Sequence, residues 1–168
     1  MTLGERIHQC VVSGFTLESR FLYTCELVGC LSFPYNILLT PTQASAVQAL
    51  HAMDLFHLDL KPHNIMIQAN GHLCLIDFGL ASTERRLPRY HMGTPGYNAP
   101  EVRQSDVGHF DCELADVYSF GQVMLDMYIC PQKRSDSQQT VDIVMGLPSR
   151  IRDLIIAVSS CCCALEFL

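Results

Sequence analysis

The chain has 168 residues, of which 49% are hydrophobic and 17% are charged, whereas about 25% charged residues is usual for a soluble domain. Its net charge of −6 provides no basic stripe that could neutralise phosphates, so a nucleic-acid partner is excluded. The length suits one domain that can bury a sizeable core.

Two apolar stretches precede residue 30, at residues 10–15 and 20–29. Apolar side chains alternate in both stretches, a pattern that predicts short strands. From the residues alone, these are two edge strands without an assigned role.

A helix is predicted over residues 40–53. Thr40 suits the N-cap, Pro41 the first helical position, and Gln43 completes a capping box. Apolar residues then recur at three- and four-residue spacing, at Ala46, Val47, Leu50 and Met53. This spacing gives the helix one apolar face, which needs a core to cover it.

Polar residues cluster in two motifs around a predicted hairpin. Residues 57–64 read His-Leu-Asp-Leu-Lys-Pro-His-Asn, and residues 77–79 read Asp-Phe-Gly. The segment between them contains two apolar runs split by Asn70-Gly71, the strongest short hairpin signal. Such a hairpin would bring Asn64 and Asp77 close together.

A third motif and a second helix follow. Residues 93–101 read Gly-Thr-Pro-Gly-Tyr-Asn-Ala-Pro-Glu. A helical pattern opens at Asp116 and ends shortly before Pro131. Its apolar stripe is read as core and comprises Val117, Phe120, Met124 and Met127.

In order and spacing, the three motifs resemble the catalytic loop, magnesium-binding loop and activation-segment end of eukaryotic protein kinases of the serine/threonine type. The resemblance implies an α+β, protein-kinase-like fold with a mainly helical large lobe and a β small lobe that lacks its first strands and its helix. Residues 1–30 would be a remnant of the small lobe and hinge, and residues 31–168 a large lobe truncated at its C-terminus. The chain then looks like a fragment.

The resemblance also implies the activity and its catalytic residues. The chain would transfer a phosphoryl group from Mg²⁺·ATP to a serine or threonine of a protein substrate. Asp59 would orient the substrate hydroxyl and accept its proton, and Lys61 would lie near the transferred phosphate. The oxygens of Asn64 and Asp77 would hold Mg²⁺.

Further residues of the site follow from the same resemblance. The activation segment would comprise Asp77, Phe78, Gly79, Thr94, Ala99, Pro100 and Glu101. Within it, Thr94 would bridge Asp59 and Lys61. His57 and Asp116 are expected to support the site structurally, and Asp116 would accept hydrogen bonds from the catalytic-loop backbone.

The adenine site is expected at the hinge. Residues 10–15 and 20–29 resemble the fourth and fifth strands of the small lobe followed by the hinge. On that alignment Cys25 is the gatekeeper, and the Glu26 and Val28 backbones would meet the adenine ring. Met66 would lie beneath the ring, although an ordinary strand residue that faces a core is an equally good interpretation of Met66.

One departure from the family pattern lies in the catalytic loop. Leu58 stands where the family usually carries an arginine that pairs with a phosphorylated residue of the activation segment. Leucine cannot donate charge-assisted hydrogen bonds to phosphate. We therefore expect that phosphorylation of Ser82, Thr83 or Tyr90 does not order the segment by that route.

A larger departure leaves two functional hypotheses open. The sequence contains no Gly-x-Gly-x-x-Gly motif, and neither of its lysines, Lys61 and Lys133, precedes the catalytic loop. Kinases use this glycine-rich motif and a lysine upstream of the catalytic loop to hold the nucleotide phosphates. The alternative to an active kinase is therefore a catalytically inactive, kinase-like binding module or truncated isoform.

Cysteines and hydropathy bear on location. The nine cysteines show no paired spacing for zinc, which favours reduced thiols and an intracellular, cytoplasmic location. The apolar tail at residues 154–168 is shorter than the about 20 residues that span a bilayer, so no membrane span is expected. The oligomeric state is not predicted.

Overall fold

The computed structural model describes residues 1–9, 46–69, 73–103, 108–128, 144–147, 149, 152–153 and 156. The helices are α1 (Leu3–Gln9), α2 (Ala46–His51), α3 (Pro100–Arg103) and α4 (Cys112–Tyr128), and a 3₁₀ turn spans Pro62–Asn64. The strands are β1 (Ile65–Ile67), β2 (Leu73–Leu75), β3 (Arg86–Pro88) and β4 (His109–Asp111). The predicted strands at residues 10–15 and 20–29 lie outside the described residues.

Helix α4 is the central helix of the described structure. Three residues of the predicted apolar stripe, Phe120, Met124 and Met127, are buried in the core, and the fourth, Val117, is partly buried against it. The predicted start at Asp116 is wrong by one turn. The helix begins at Cys112 because the Asp111 carboxylate accepts hydrogen bonds from the first-turn amides of residues 113 and 114, at 3.0 and 3.3 Å.

The hairpin predicted between the two motifs is confirmed. Strands β1 and β2 pair antiparallel, with Ile65 opposite Leu75 and Ile67 opposite Leu73. The Asn70-Gly71 turn itself lies outside the described residues. Beyond the ladder, the Ile76 N–H donates to the Asn64 carbonyl at 2.9 Å, so the residue before Asp77 stays paired with the end of the catalytic loop.

Helix α1 packs against β1 and the 3₁₀ turn. Thr2 and Glu5 form a reciprocal capping box, with the Thr2 N–H 2.8 Å from the Glu5 carboxylate and the Glu5 N–H 3.1 Å from the Thr2 hydroxyl. The chain before the helix pairs with β1 through the Thr2–Met66 bridge. Leu3 is fully buried in the core beside β1. The assignment of residues 1–30 to a small lobe stays a prediction.

Helix α2 ends sooner than its apolar pattern predicts. The helix ends at His51, and a turn follows in which the Asp54 N–H donates to the His51 carbonyl at 3.0 Å. Asp54 adopts a φ of 52°, which reverses the chain toward the catalytic loop. The expected cap at Thr40 lies outside the described residues.

Two apolar cores hold these elements together. The first joins α1, the β1–β2 hairpin and α4. The second lies where β4 and the start of α4 meet the catalytic loop and residues 92–102. Among the helices that the structure describes, none combines the length and the apolar character needed to cross a bilayer.

Candidate active site

The catalytic loop gathers its polar side chains around Asp59. The Lys61 ammonium donates to Asp59 Oδ2 at 2.7 Å, and the Asn64 side-chain amide donates to the same oxygen at 3.0 Å. The Asn64 amide also donates to the Asp59 backbone carbonyl at 2.9 Å. Because each donor is within five residues of Asp59, the 3₁₀ turn alone brings them together.

Thr94 joins this cluster from a distant part of the chain. Its hydroxyl donates to Asp59 Oδ1 at 2.7 Å and lies 2.8 Å from the Lys61 ammonium, so Thr94 bridges these two residues. The Asp59 side chain retains 10% of its exposure and that of Lys61 retains 22%. The cluster is therefore assembled, yet open to solvent on one side.

The surroundings of Asp59 favour its ionised form. Burial raises the pKa of the Asp59 carboxyl, but the hydrogen bonds from Lys61, Thr94 and Asn64 and the charge of Lys61 outweigh burial and hold the pKa below its ordinary value. Asp59 is thus an anion at neutral pH. A carboxylate with a lowered pKa is a weak base, which suits it to orient a hydroxyl group more than to remove its proton early.

Asp116 anchors the backbone of the catalytic loop. The carboxylate is fully buried and accepts the N–H groups of His57 and Leu58, both at 2.7 Å. These two bonds hold Leu58 at a φ of 62°, a left-handed conformation that is uncommon for a bulky residue. Sequence reasoning missed His51, whose Nε2 lies 3.0 Å from the same carboxylate.

His57 connects the loop to the end of β2. Its Nδ1 accepts the Asp59 N–H at 3.3 Å, and its Nε2 lies 3.1 Å from the Ile76 carbonyl. A backbone N–H can only donate and a carbonyl can only accept, so this geometry assigns the neutral tautomer protonated on Nε2. The ring also packs against Phe78, with centroids 4.9 Å apart.

Asn64 and Asp77 lie at the same end of the β1–β2 hairpin, and each carries a side-chain oxygen that could bind a metal ion. The Asn64 amide nitrogen is engaged by Asp59, which leaves its amide oxygen as the available metal donor. Asp77 is exposed and has a φ of 63°, and its Oδ1 accepts the Gly79 N–H at 3.3 Å. Within the described ranges, no cluster of three or more His, Cys, Asp or Glu side chains is placed to hold a metal ion.

The expected adenine contacts are only partly described. Glu26 and Val28 lie outside the described residues. Met66 is 41% exposed, so the interpretation of Met66 as an ordinary strand residue facing a core is wrong. Its place beneath an adenine ring stays a prediction.

The end of the activation segment forms helix α3. Ala99 is fully buried, and Pro100 occupies the first helical position, where its missing N–H has no consequence. Glu101 lies in the first turn.

Comparison with known proteins identifies the family. The profile of the protein kinase domain matches residues 38–154, which is more than half of the chain. The chain belongs to the protein kinase family. Membership implies a kinase-like fold and the serine/threonine kinase class, whose members generally use ATP and Mg²⁺.

The chain is similar to many protein kinases, several of which are named as serine/threonine kinases. The chain is 38% identical over 70% of its length to protein kinase 2 of Dictyostelium discoideum and 38% identical over 68% to cAMP-dependent protein kinase catalytic subunit 3 of Drosophila melanogaster. It is 41% identical over 48% of its length to CBL-interacting serine/threonine-protein kinase 9 of Arabidopsis thaliana. The matched stretches cover 24%, 16% and 19% of these three relatives, respectively.

Proposed function

We propose that this chain carries the phosphoryl-transfer site of a protein serine/threonine kinase. The observation that supports the proposal most strongly is the closed set of hydrogen bonds among Asp59, Lys61, Thr94 and Asn64. Phosphoryl transfer asks little covalent work of a protein and depends on positioned charges. This network positions one carboxylate and one ammonium side by side at a solvent-accessible edge.

Each side chain has a defined part in the proposal. Asp59 orients the serine or threonine hydroxyl of a protein substrate and takes up its proton as the phosphoryl group is transferred. Although the Asp59 carboxylate already accepts bonds from Lys61, Thr94 and Asn64, a carboxylate has about four lone-pair sites, so one can still serve the substrate. Lys61 stabilises negative charge on the transferred group. Thr94 holds the side chains of Asp59 and Lys61 in place through a hydrogen bond to each.

The donor set fits Mg²⁺ bound together with a nucleotide. Mg²⁺ is held through one or two carboxylates plus substrate phosphates and water, and seldom by an all-protein cage. One amide oxygen from Asn64 and the exposed carboxylate of Asp77 match that requirement. When bound, Mg²⁺·ATP supplies the phosphoryl group, and the metal neutralises charge on its oxygens. Met66 would lie beneath the adenine ring, and the backbones of Glu26 and Val28 would meet the ring.

A second candidate is a kinase-like binding module without turnover. The specific observation in its favour is that neither lysine of the chain precedes the catalytic loop, so the usual lysine partner of the phosphates is not among these residues. The division into a small-lobe remnant at residues 1–30 and a large lobe from residue 31 belongs to either proposal. An intracellular location with reduced thiols is likewise compatible with both candidates.

Two measurements on the purified chain, nucleotide binding and phosphate transfer, together separate the two candidates. Mg²⁺·ATP should raise the unfolding temperature of the purified chain, because a ligand that binds only the native state stabilises it. Asp77→Asn should reduce that shift, whereas the matched change Asp153→Asn on the exposed surface should preserve it. A shift together with phosphate transfer to a generic protein substrate supports the kinase. A chain that shows neither shift nor transfer would contradict it.

A further inference from the structure

Leu58 is buried in an apolar cluster that the phosphoryl-transfer site does not use. Leu58 is 7% exposed, and it shares the cluster with Met92 at 8% and Phe110 at 2%. We call this cluster the segment seat. Its members are Phe56, Leu58, Met92, Ala99, Val102, Phe110, Cys112 and Ala115. An arginine at position 58 would place a charge in this apolar surrounding, so the leucine is matched to its neighbours.

Met92 enters the segment seat from the activation segment, two residues before Thr94. Between them, Gly93 has a φ of +76°, and a Cβ atom added there would lie 3.0 Å from the Leu58 carbonyl oxygen. The backbone of the activation segment therefore lies directly on the backbone of the catalytic loop. The Asn98 side-chain amide donates to the Met92 carbonyl at 3.1 Å and fixes the same stretch from the other side.

The preceding part of the segment is held by a ladder. Strand β3 pairs antiparallel with β4, and Leu87 lies opposite Phe110 of the segment seat. Two bonds extend the ladder at its ends: the Arg89 N–H donates to the Gly108 carbonyl at 2.9 Å, and the Cys112 N–H donates to the Arg85 carbonyl at 2.8 Å. Residues 85–89 are thus tied to residues 108–112 by main-chain contacts that need no phosphate.

We propose that Met92 is a positioning residue for the site and that the segment seat replaces the contact between a phosphate and an arginine. Seating Met92 fixes Gly93 on Leu58 and thereby sets the position of the Thr94 hydroxyl, 2.7 Å from Asp59. The segment is ordered by apolar burial and the β3–β4 ladder in the unphosphorylated chain. The effect on phosphate transfer rests on the proposed function, but the effect on segment order does not.

Hydrogen exchange of the full chain, read by mass spectrometry, tests the proposal without requiring activity. Met92→Gln should accelerate exchange of the amides at residues 85–98 by about 5- to 30-fold, while β1, β2 and α4 keep their protection. Met92→Leu should exchange like the wild type, since leucine is apolar and similar in volume. The matched control is Met53→Gln, because Met53 is 66% exposed and should change nothing.

Two results would overturn the proposal. One is unchanged exchange at residues 85–98 in Met92→Gln, and the other is equal acceleration of α4, which would show a merely general loss of core stability. If Met92→Gln does not fold, the wild-type chain still decides the matter. Its residues 85–98 should be equally protected before and after phosphorylation of the exposed Thr83. Protection that arises only after phosphorylation would disprove the segment seat.

Discussion

Asp116 is the residue on which the backbone geometry of the catalytic loop depends most directly. It is fully buried and accepts the N–H groups of His57 and Leu58 together with a contact from His51. The two backbone bonds hold Leu58 in a left-handed conformation that costs about 1–3 kcal/mol on its own. The carboxylate therefore stabilises a strained loop that the site needs.

Replacing Asp116 by asparagine should destabilise the chain. An asparagine side chain keeps one acceptor oxygen and presents an NH₂ group on its other side, so one buried backbone N–H loses its partner. An unsatisfied buried group costs about 1–3 kcal/mol, which urea unfolding monitored by circular dichroism would detect. Asp153→Asn is the matched control, since that side chain is 67% exposed. Equal effects of the two substitutions would contradict this account.

The lowered pKa of Asp59 predicts how stability changes in acid. Since its folded-state pKa lies below its unfolded-state value, the unfolded chain takes up the proton first as pH falls. The stabilisation by the carboxylate is full above the unfolded-state value and is lost as pH falls through the folded-state pKa. The free-energy difference between wild type and Asp59→Asn should therefore stay constant above about pH 5 and shrink as pH falls through the folded-state pKa. A difference that is independent of pH would contradict the prediction.

At the scale of elements, α1 lies unusually close to the 3₁₀ turn of the catalytic loop. A Cβ atom added at Gly4 would lie 3.1 Å from three ring atoms of His63, so position 4 has room for glycine only while the ring stays in place. The helix thus gives up the higher helix propensity of alanine, about 1 kcal/mol, for close packing.

A double-mutant cycle tests this packing. Gly4→Ala should be more favourable to stability in a His63→Ala background than in the wild type, because removing the ring removes the steric conflict. Urea titrations of the wild type, the two single mutants and the double mutant supply the four free energies of unfolding that the cycle compares. The control is Gly146→Ala, at which an added Cβ atom would meet nothing within 4 Å. Zero coupling between positions 4 and 63 would disprove the contact.

The β1–β2 hairpin and helices α1 and α4 each carry a local signal in the sequence, but only the hairpin signal was used correctly. The β1–β2 hairpin followed from Asn70-Gly71 between two apolar runs, which is local information. The start of α4 was misplaced because the cap at Asp111 was overlooked. Helix α1 was also missed, although Thr2 and Glu5 have the spacing of a capping box, the signal that would have found it.

For the molecule as a whole, family and motif order could be predicted from the sequence, but the surroundings of the motifs could not. The three motifs identified a kinase, and the family match over residues 38–154 confirms it. The burial of Met92 could not be predicted, because a lone methionine in a polar segment has no periodicity. The contact between His51 and Asp116 could not be predicted either, because it joins residues 65 positions apart in the sequence.

The most direct test of the central claim is the rate of phosphate transfer from labelled ATP to serine or threonine of a protein substrate. The purified wild-type chain should transfer label in the presence of Mg²⁺, and Asp59→Asn should lower the rate by about 100-fold or more, because it removes the group that receives the proton. The exposed control Asp54→Asn should leave the rate unchanged. Equal rates for wild type and Asp59→Asn would contradict the assignment of this site.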